Sequence, residues 1–301
     1  MFLRILSLAA VGLAVPAALA ADGNFDRTFT VSGSATLNIS NGSGYVHVYS
    51  GSGNQVHIVG HVHARPGLFS GDVDRNVKEI ADNRPITQSG STITIKTPHD
   101  SDLFRNVSID YDITAPGSST LTAHNGSGQI EIGGLQGAVD ADTGSGSIHV
   151  DNIAGNTHLQ TGSGSINATG VHGAANVQTG SGHITLAVTA PGDVTAHTGS
   201  GGMKLSGISG SVRAESGSGA IEVEGSPTSE WRVHTGSGSI RLNVPANAHF
   251  NLEADTGSGG IHVDRPITMQ TSIGRHHIAG SVNGGGPTVR LGTGSGGISI
   301  E

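Results

Sequence analysis

Thr143-Gly144-Ser145-Gly146-Ser147-Ile148-His149-Val150-Asp151-Asn152-Ile153-Ala154-Gly155-Asn156-Thr157-His158-Leu159-Gln160 is followed at once by Thr161-Gly162-Ser163-Gly164, where the same pattern begins again. Apolar Ile148 and Val150 flank polar His149, and Leu159 follows Thr157 two places on. Alternation with period two over a few residues, bounded by glycine, is the mark of a short strand with one buried face. The unit therefore reads as strand, turn, strand, turn. Glycine takes positive φ without a Cβ clash, so Gly-Ser-Gly suits a sharp corner repeated at every level. The serine is small enough to stack, and its hydroxyl is expected to satisfy backbone groups of the turn. Ile153-Ala154-Gly155 marks the second corner.

Working outward, the first glycine of the motif falls at Gly126, Gly144, Gly162, Gly180, Gly199, Gly217, Gly236 and Gly257, at spacings of 18, 18, 18, 19, 18, 19 and 21. A last copy starts at Gly294, 37 residues later, which reads as one normal period plus a copy lacking the motif. A fixed period of this length is the signature of a solenoid. Stacked copies give parallel sheets with one ladder per strand position. One inner ladder is expected to run Ile130, Ile148, Ile166, Ile184, Met203, Ile221, Ile240, Ile261. The ladder beside it is polar and faces out: Glu131, His149, Asn167, Thr185, Lys204, Glu222, Arg241, His262. Trp231 takes an inward position of the second strand. One coil cannot fold alone, because burial of its few apolar side chains does not offset the entropy of ordering it.

The motif also occurs early, as Asn41-Gly42-Ser43-Gly44 before Val46-His47-Val48, so the solenoid is expected to begin near residue 28. The coils between there and residue 120 are enlarged. Ser70 fits the cap of a short helix over residues 71–83, with Val73, Val77 and Ile80 at helical spacing. Strand patterns follow at Ile93-Thr94-Ile95 and from Val107 to Thr114, ended by Pro116. The expected organisation is a signal segment at 1–20, capping and elaborated coils at 21–120, and regular repeats at 121–301. Residues 21–301 form one continuous body in this reading.

Arg4, the apolar run Ile5–Val15 and Ala18-Leu19-Ala20 make an export signal cleaved before Ala21. The mature chain is expected to be periplasmic or secreted, with no membrane span once the signal is removed. Absence of cysteine excludes a disulfide framework and a lipid-anchored N-terminal cysteine. A net charge of −8 argues against nucleic acid as a partner.

No copy of the glycine motif gives the Gly-x-Ser-x-Gly elbow or continues into Gly-Lys-Ser/Thr. A calcium-binding β-roll needs Gly-Gly-x-Gly-x-Asp, and here the place after Gly-x is isoleucine. A lyase or hydrolase on a β-helix needs clustered carboxylates, whereas the outer ladders scatter their charges. His57, His61 and His63 fall on the outward face of one strand, with His47 outward on a preceding one. Histidines at i, i+2 can ligate zinc or copper. The simpler reading is that they fill polar outward slots, as His149 and His262 do; His276-His277 is a weaker candidate still. No catalytic, cofactor or metal residue is assigned.

Taken together, the tandem Thr-Gly-Ser-Gly-x-Ile-x-Val copies resemble the bacterial putative-adhesin family of secreted β-strand-repeat domains of unknown function. The segment Gly284-Gly285-Gly286-Pro287-Thr288-Val289-Arg290-Leu291, leading to the copy Thr293–Ile300, strengthens the likeness. The resemblance implies a parallel β-solenoid and an envelope or surface setting, and it carries over no catalytic residues. The expected function is that of a non-catalytic, adhesin-like structural or binding protein of the cell envelope. Its partner would be an envelope glycan or protein. The competing reading is a carbohydrate-active enzyme, a lyase or hydrolase, on a β-helix scaffold.

Overall fold

The structure is a computed structural model describing residues 21–64, 73–83, 85–97 and 107–301. The expected signal segment, residues 1–20, and the helix cap Ser70 lie outside the described residues. In chain order the first elements are β1 (Ala21–Thr30), β2 (Thr36–Ser43), β3 (Val46–Gly51), β4 (Gln55–Ala64), α1 (Val73–Asp82), β5 (Ile86–Ser89), β6 (Thr92–Lys96) and β7 (Val107–Pro116). The repeats supply β8 (Thr120–Ser127), β9 (Ile130–Gly133), β10 (Val139–Thr143), β11 (Ile148–Ile153), β12 (Thr157–Thr161), β13 (Ile166–Val171) and β14 (Ala175–Thr179). They continue as β15 (Ile184–Val188), β16 (Val194–Thr198), β17 (Met203–Ile208), β18 (Val212–Ser216), β19 (Ile221–Gly225), β20 (Trp231–Ser237) and β21 (Ile240–Asn243). The chain ends in β22 (Phe250–Ser258), β23 (Ile261–Val263), β24 (Ile267–Ile273), β25 (His277–Val282), β26 (Thr288–Ser295) and β27 (Ile298–Ile300).

From β8 to β21 the chain alternates between two sheets, odd strands in a 13-stranded sheet A and even strands in a 14-stranded sheet B. Neighbours pair in parallel at matching repeat positions: Ile148 with Ile130 and Ile166, Ile184 with Ile166 and Met203, Ile221 with Met203 and Ile240. Inward residues of both sheets join in one apolar cluster, with Trp231 fully buried. His149 and Asn167 remain on the outer face. This is the parallel β-solenoid of two-strand coils that the periodicity predicts.

The corner chemistry differs from expectation in two ways. Positive φ at the second motif glycine occurs only at Gly44, Gly128, Gly259 and Gly296. In the middle coils glycine is required instead by the neighbouring coil: a Cβ on Gly164 would stand 1.8 Å from the Gly146 oxygen, and one on Gly182 1.8 Å from that of Gly164. Nor does the serine close the corner. The buried threonine before it does, since Thr179 Oγ1 donates to the Gly164 carbonyl at 2.8 Å and accepts from the Gly182 N–H at 3.1 Å. Thr143, Thr161 and Thr198 repeat both bonds. Thr179→Val keeps the shape but removes both partners from buried backbone groups. It should cost about 1–3 kcal/mol in denaturant unfolding, whereas Ser181→Ala on the exposed corner should stay within about 0.5 kcal/mol.

Both ends depart from simple order. Residue 28 lies in β1, an antiparallel edge strand on β4, so the first repeat strand is β2 at Thr36. Strands β2 and β3 sit directly on β8 and β9, with β6 and β7 stacked outside them. Strand β4 then runs antiparallel on β7. Helix α1 packs on β1 and β4, burying Val77 and Ile80, and closes this end of the core. At the other end the 37-residue interval does not hold an ordinary coil. It holds the antiparallel hairpin β24–β25, which pairs with β22. The last copy then slots between two earlier ones: β26 pairs with both β20 and β22, and β27 with both β21 and β23. The inner ladder therefore runs Ile240, Ile298, Ile261, and Ile240 does not touch Ile261 across a strand pair.

Candidate functional site

The residue before each rung of the inner sheet A ladder lies on the outer surface of that sheet. In the first coils it is Gln129, Ser147, Ser165 and His183; afterwards it is Gly202, Ala220, Ser239, Gly297 and Gly260 in spatial order. A trough of about 570 Å³ lies across β15, β17, β19, β21, β27 and β23, with His183, Gly202, Ala220, Ser239, Gly297 and Gly260 along its floor. Six strands at 4.8 Å spacing give it a length of about 24 Å along the solenoid axis. Its rim consists of the outward rungs, among them Thr185, Lys204, Glu222 and Arg241. Lys204 Nζ lies 3.4 Å from Glu222 Oε1 and Arg241 Nε 3.5 Å from Glu301 Oε1, so the rim charges are paired. A second cavity of about 480 Å³ lies over sheet B beside Thr122, Asp140, His158 and Asn176.

The histidines predicted to face outward do so, but His47 and β4 are not neighbours, because β7 runs between β3 and β4. That strand brings carboxylates into the gap. Asp112 stands 3.1 Å from His47 Nδ1 and 3.4 Å from His61 Nε2. His63 lies between Asp22 at 2.8 Å and Asp110 at 3.3 Å, and His57 meets Asp26 at 2.9 Å. Glu131 closes the row, 3.7 Å from His47 Nε2. Carboxylates from distant parts of the sequence are thus gathered over β1, β4, β7, β3 and β9. Tyr45 stacks on His47, with centroids 4.1 Å apart, and donates to Asp112, while Tyr49 donates to Glu131. Desolvation, followed by these carboxylate bonds, pushes both phenols up to about 12, so they stay protonated donors at physiological pH. Every imidazole here faces a carboxylate or the Asn24 amide oxygen. Among the described residues no group of three or more His, Cys, Asp or Glu is placed to hold a metal ion. His276 and His277 lie apart, with His277 on Asp255 at 2.6 Å.

No described helix is long and apolar enough to cross a membrane. A family model described as Toastrack DUF4097 matches residues 70–301, and no curated protein matches the chain. Among solved structures, the chain is similar to a putative adhesin from Bacteroides fragilis, at 14% identity over 93% of this chain and 97% of that one, with a TM-score of 0.42. A lipid binding protein of putative assignment from Parabacteroides distasonis matches at 14% identity over 92% and 96%, with a TM-score of 0.36. A putative cell adhesion protein from Clostridium sporogenes matches at 13% identity over 92% and 99%, with a TM-score of 0.21. None of these likenesses bears on what this chain binds.

Proposed function

The chain belongs to the Toastrack DUF4097 family, and on that premise we propose that it is an exported, non-catalytic binding protein that holds an extended envelope glycan along the sheet A trough. The observation that carries this reading is the trough itself, open, elongated and repeating its rungs at the strand spacing. A pyranose spans about one strand spacing, so successive sugars of an extended chain can meet successive rungs. Strands under the trough already pair on both sides, except β23 at its end, so recognition there falls to side chains rather than to strand addition. Glycosidic hydrolysis needs two carboxyl groups flanking one bond. Among the described residues Glu222 is the sole carboxylate lining the trough, and it is engaged by Lys204 and Asn243. Export rests on the leader pattern of residues 1–20. We further take residues 21–301 as one body, since both sheets run unbroken past residue 120.

Binding of purified mature protein to isolated envelope polysaccharide tests the proposal. Ala220→Trp fills the exposed floor and Thr185→Glu charges the rim; each should weaken binding about tenfold, or about 1.4 kcal/mol. Asn167→Glu, next to Thr185 in the ladder but outside the trough, should leave binding unchanged. Equal binding by all three variants would remove the trough from consideration.

A further inference from the structure

The placement of the last repeat copy points beyond this surface. We propose that residues 288–301 form an exchangeable layer, and that the slot they occupy accepts the same segment from a second copy of this chain. The slot is a complete strand environment on both sides. In sheet B, β26 pairs with β20 from Trp231↔Val289 to Ser237↔Ser295, and with β22 from Asn251↔Thr288 to Ser258↔Ser295. In sheet A, β27 lies between β21 and β23. Its threonines keep one of the two bonds of a regular corner: Thr293 Oγ1 donates to Gly238 O and Thr256 Oγ1 to Gly296 O, each at 2.8 Å, while the Gly296 N–H donates to Ser258 O. What the slot selects is the repeat pattern, with Val289, Leu291, Thr293, Ile298 and Ile300 all buried. Residues 288–301 carry that pattern in the register that fits both neighbours, so the same segment of a second copy is the natural alternative donor.

The tether to this layer is built as a hinge. Residues 283–287 carry the chain from β25 over the end of β22 to β26, and Asn283, Gly284 and Gly285 take φ of 49°, 87° and 82° in succession. Asn283 holds its left-handed φ with its Nδ2 donating to Ala246 O at 3.1 Å and Ala248 O at 2.7 Å, so opening the hinge exchanges these two bonds for relief of backbone strain. Straightening the hinge releases that strain and leaves the pairing of β22 with β25 intact. Closed and exchanged forms then hold the same ladder contacts and differ in translational freedom and in the hinge, whose closed form also carries the Asn283 bonds to Ala246 and Ala248 and the Asn251 bond to Gly286 O. Reciprocal exchange closes a two-fold dimer.

The test uses the full mature chain and its lack of cysteine. Arg232 and Arg290 face outward opposite each other on β20 and β26. A strand spacing of about 4.8 Å lies within the Cα range of a disulfide, so the Arg232→Cys/Arg290→Cys variant reports which chain fills the slot. The protein is unfolded, refolded at high concentration, fractionated by size and oxidised. Exchange predicts a dimer fraction whose oxidised form keeps twice the monomer mass under denaturing, non-reducing conditions. Gly284→Ala adds a Cβ with nothing within 4 Å, so it disfavours only the closed φ; it should raise the dimer fraction severalfold. A dimer that falls to monomer mass after oxidation is mere face-to-face association and overturns the proposal. So does monomer alone at every concentration in both hinge backgrounds.

Discussion

Gly182→Ala is expected to destabilise the protein by about 3 kcal/mol or more, the upper range for overpacking. The added methyl would stand 1.8 Å from the Gly164 oxygen and 2.5 Å from its carbonyl carbon. Both are backbone atoms of the next coil, pinned by their own ladder, so no side chain can swing aside. Relief requires two coils to separate, which loosens the threonine clamp at the same corner. Gly260→Ala is the control: nothing lies within 4 Å of its Cβ and its φ is not positive. It should change stability by no more than about 0.5 kcal/mol. Urea unfolding of the two variants decides the matter, and equal midpoints would show that stacking distance is not what demands glycine here.

Deleting a whole period and deleting half of one should have opposite outcomes. Removing residues 162–179 takes out β13 and β14 and joins Thr161 to Gly180, which restores Thr-Gly-Ser-Gly at the junction. Strand β11 then meets β15 and β12 meets β16, like for like, so a cooperative melt should survive. Removing residues 162–170 joins Thr161 to Val171, so a sheet B strand is followed by another with no crossing to sheet A. Strands β11 and β15 are each left with a bare edge, and the inward and outward faces of the joined segment no longer match their neighbours. Cooperative thermal unfolding and β-type circular dichroism should be lost. Equal melts for both deletions would contradict the two-strand coil.

Local chemistry was legible from the sequence, whereas spatial order was only partly so. Ile148, His149 and Val150 announce a strand and its inner face, because burial follows alternation residue by residue. Ile261 and Ile298 carry the same pattern, and nothing within either copy says which one touches Ile240. Only the irregular spacings of 21 and 37 residues mark that end as different. The outward direction of His57, His61 and His63 follows from Val56, Ile58 and Val62, all buried. Their carboxylate partners do not follow from it, since Asp22 and Asp110 reach His63 through two antiparallel registers set by distant turns. That Thr179 rather than Ser181 closes the corner is hidden for a similar reason. Both are small hydroxyl residues, and only the path of the corner decides which one points inward.

The two chain ends are held unequally, and this matters under mechanical load. Pulling on Glu301 draws on β27, a strand flanked by β21 and β23, so two rows of hydrogen bonds must slide at once before it leaves. Pulling on Ala21 draws on β1, whose one strand neighbour among the described residues is β4, so it can be peeled one bond at a time. A load applied at Ala21 and Glu301 therefore meets one row of hydrogen bonds at β1 and two short rows at β27.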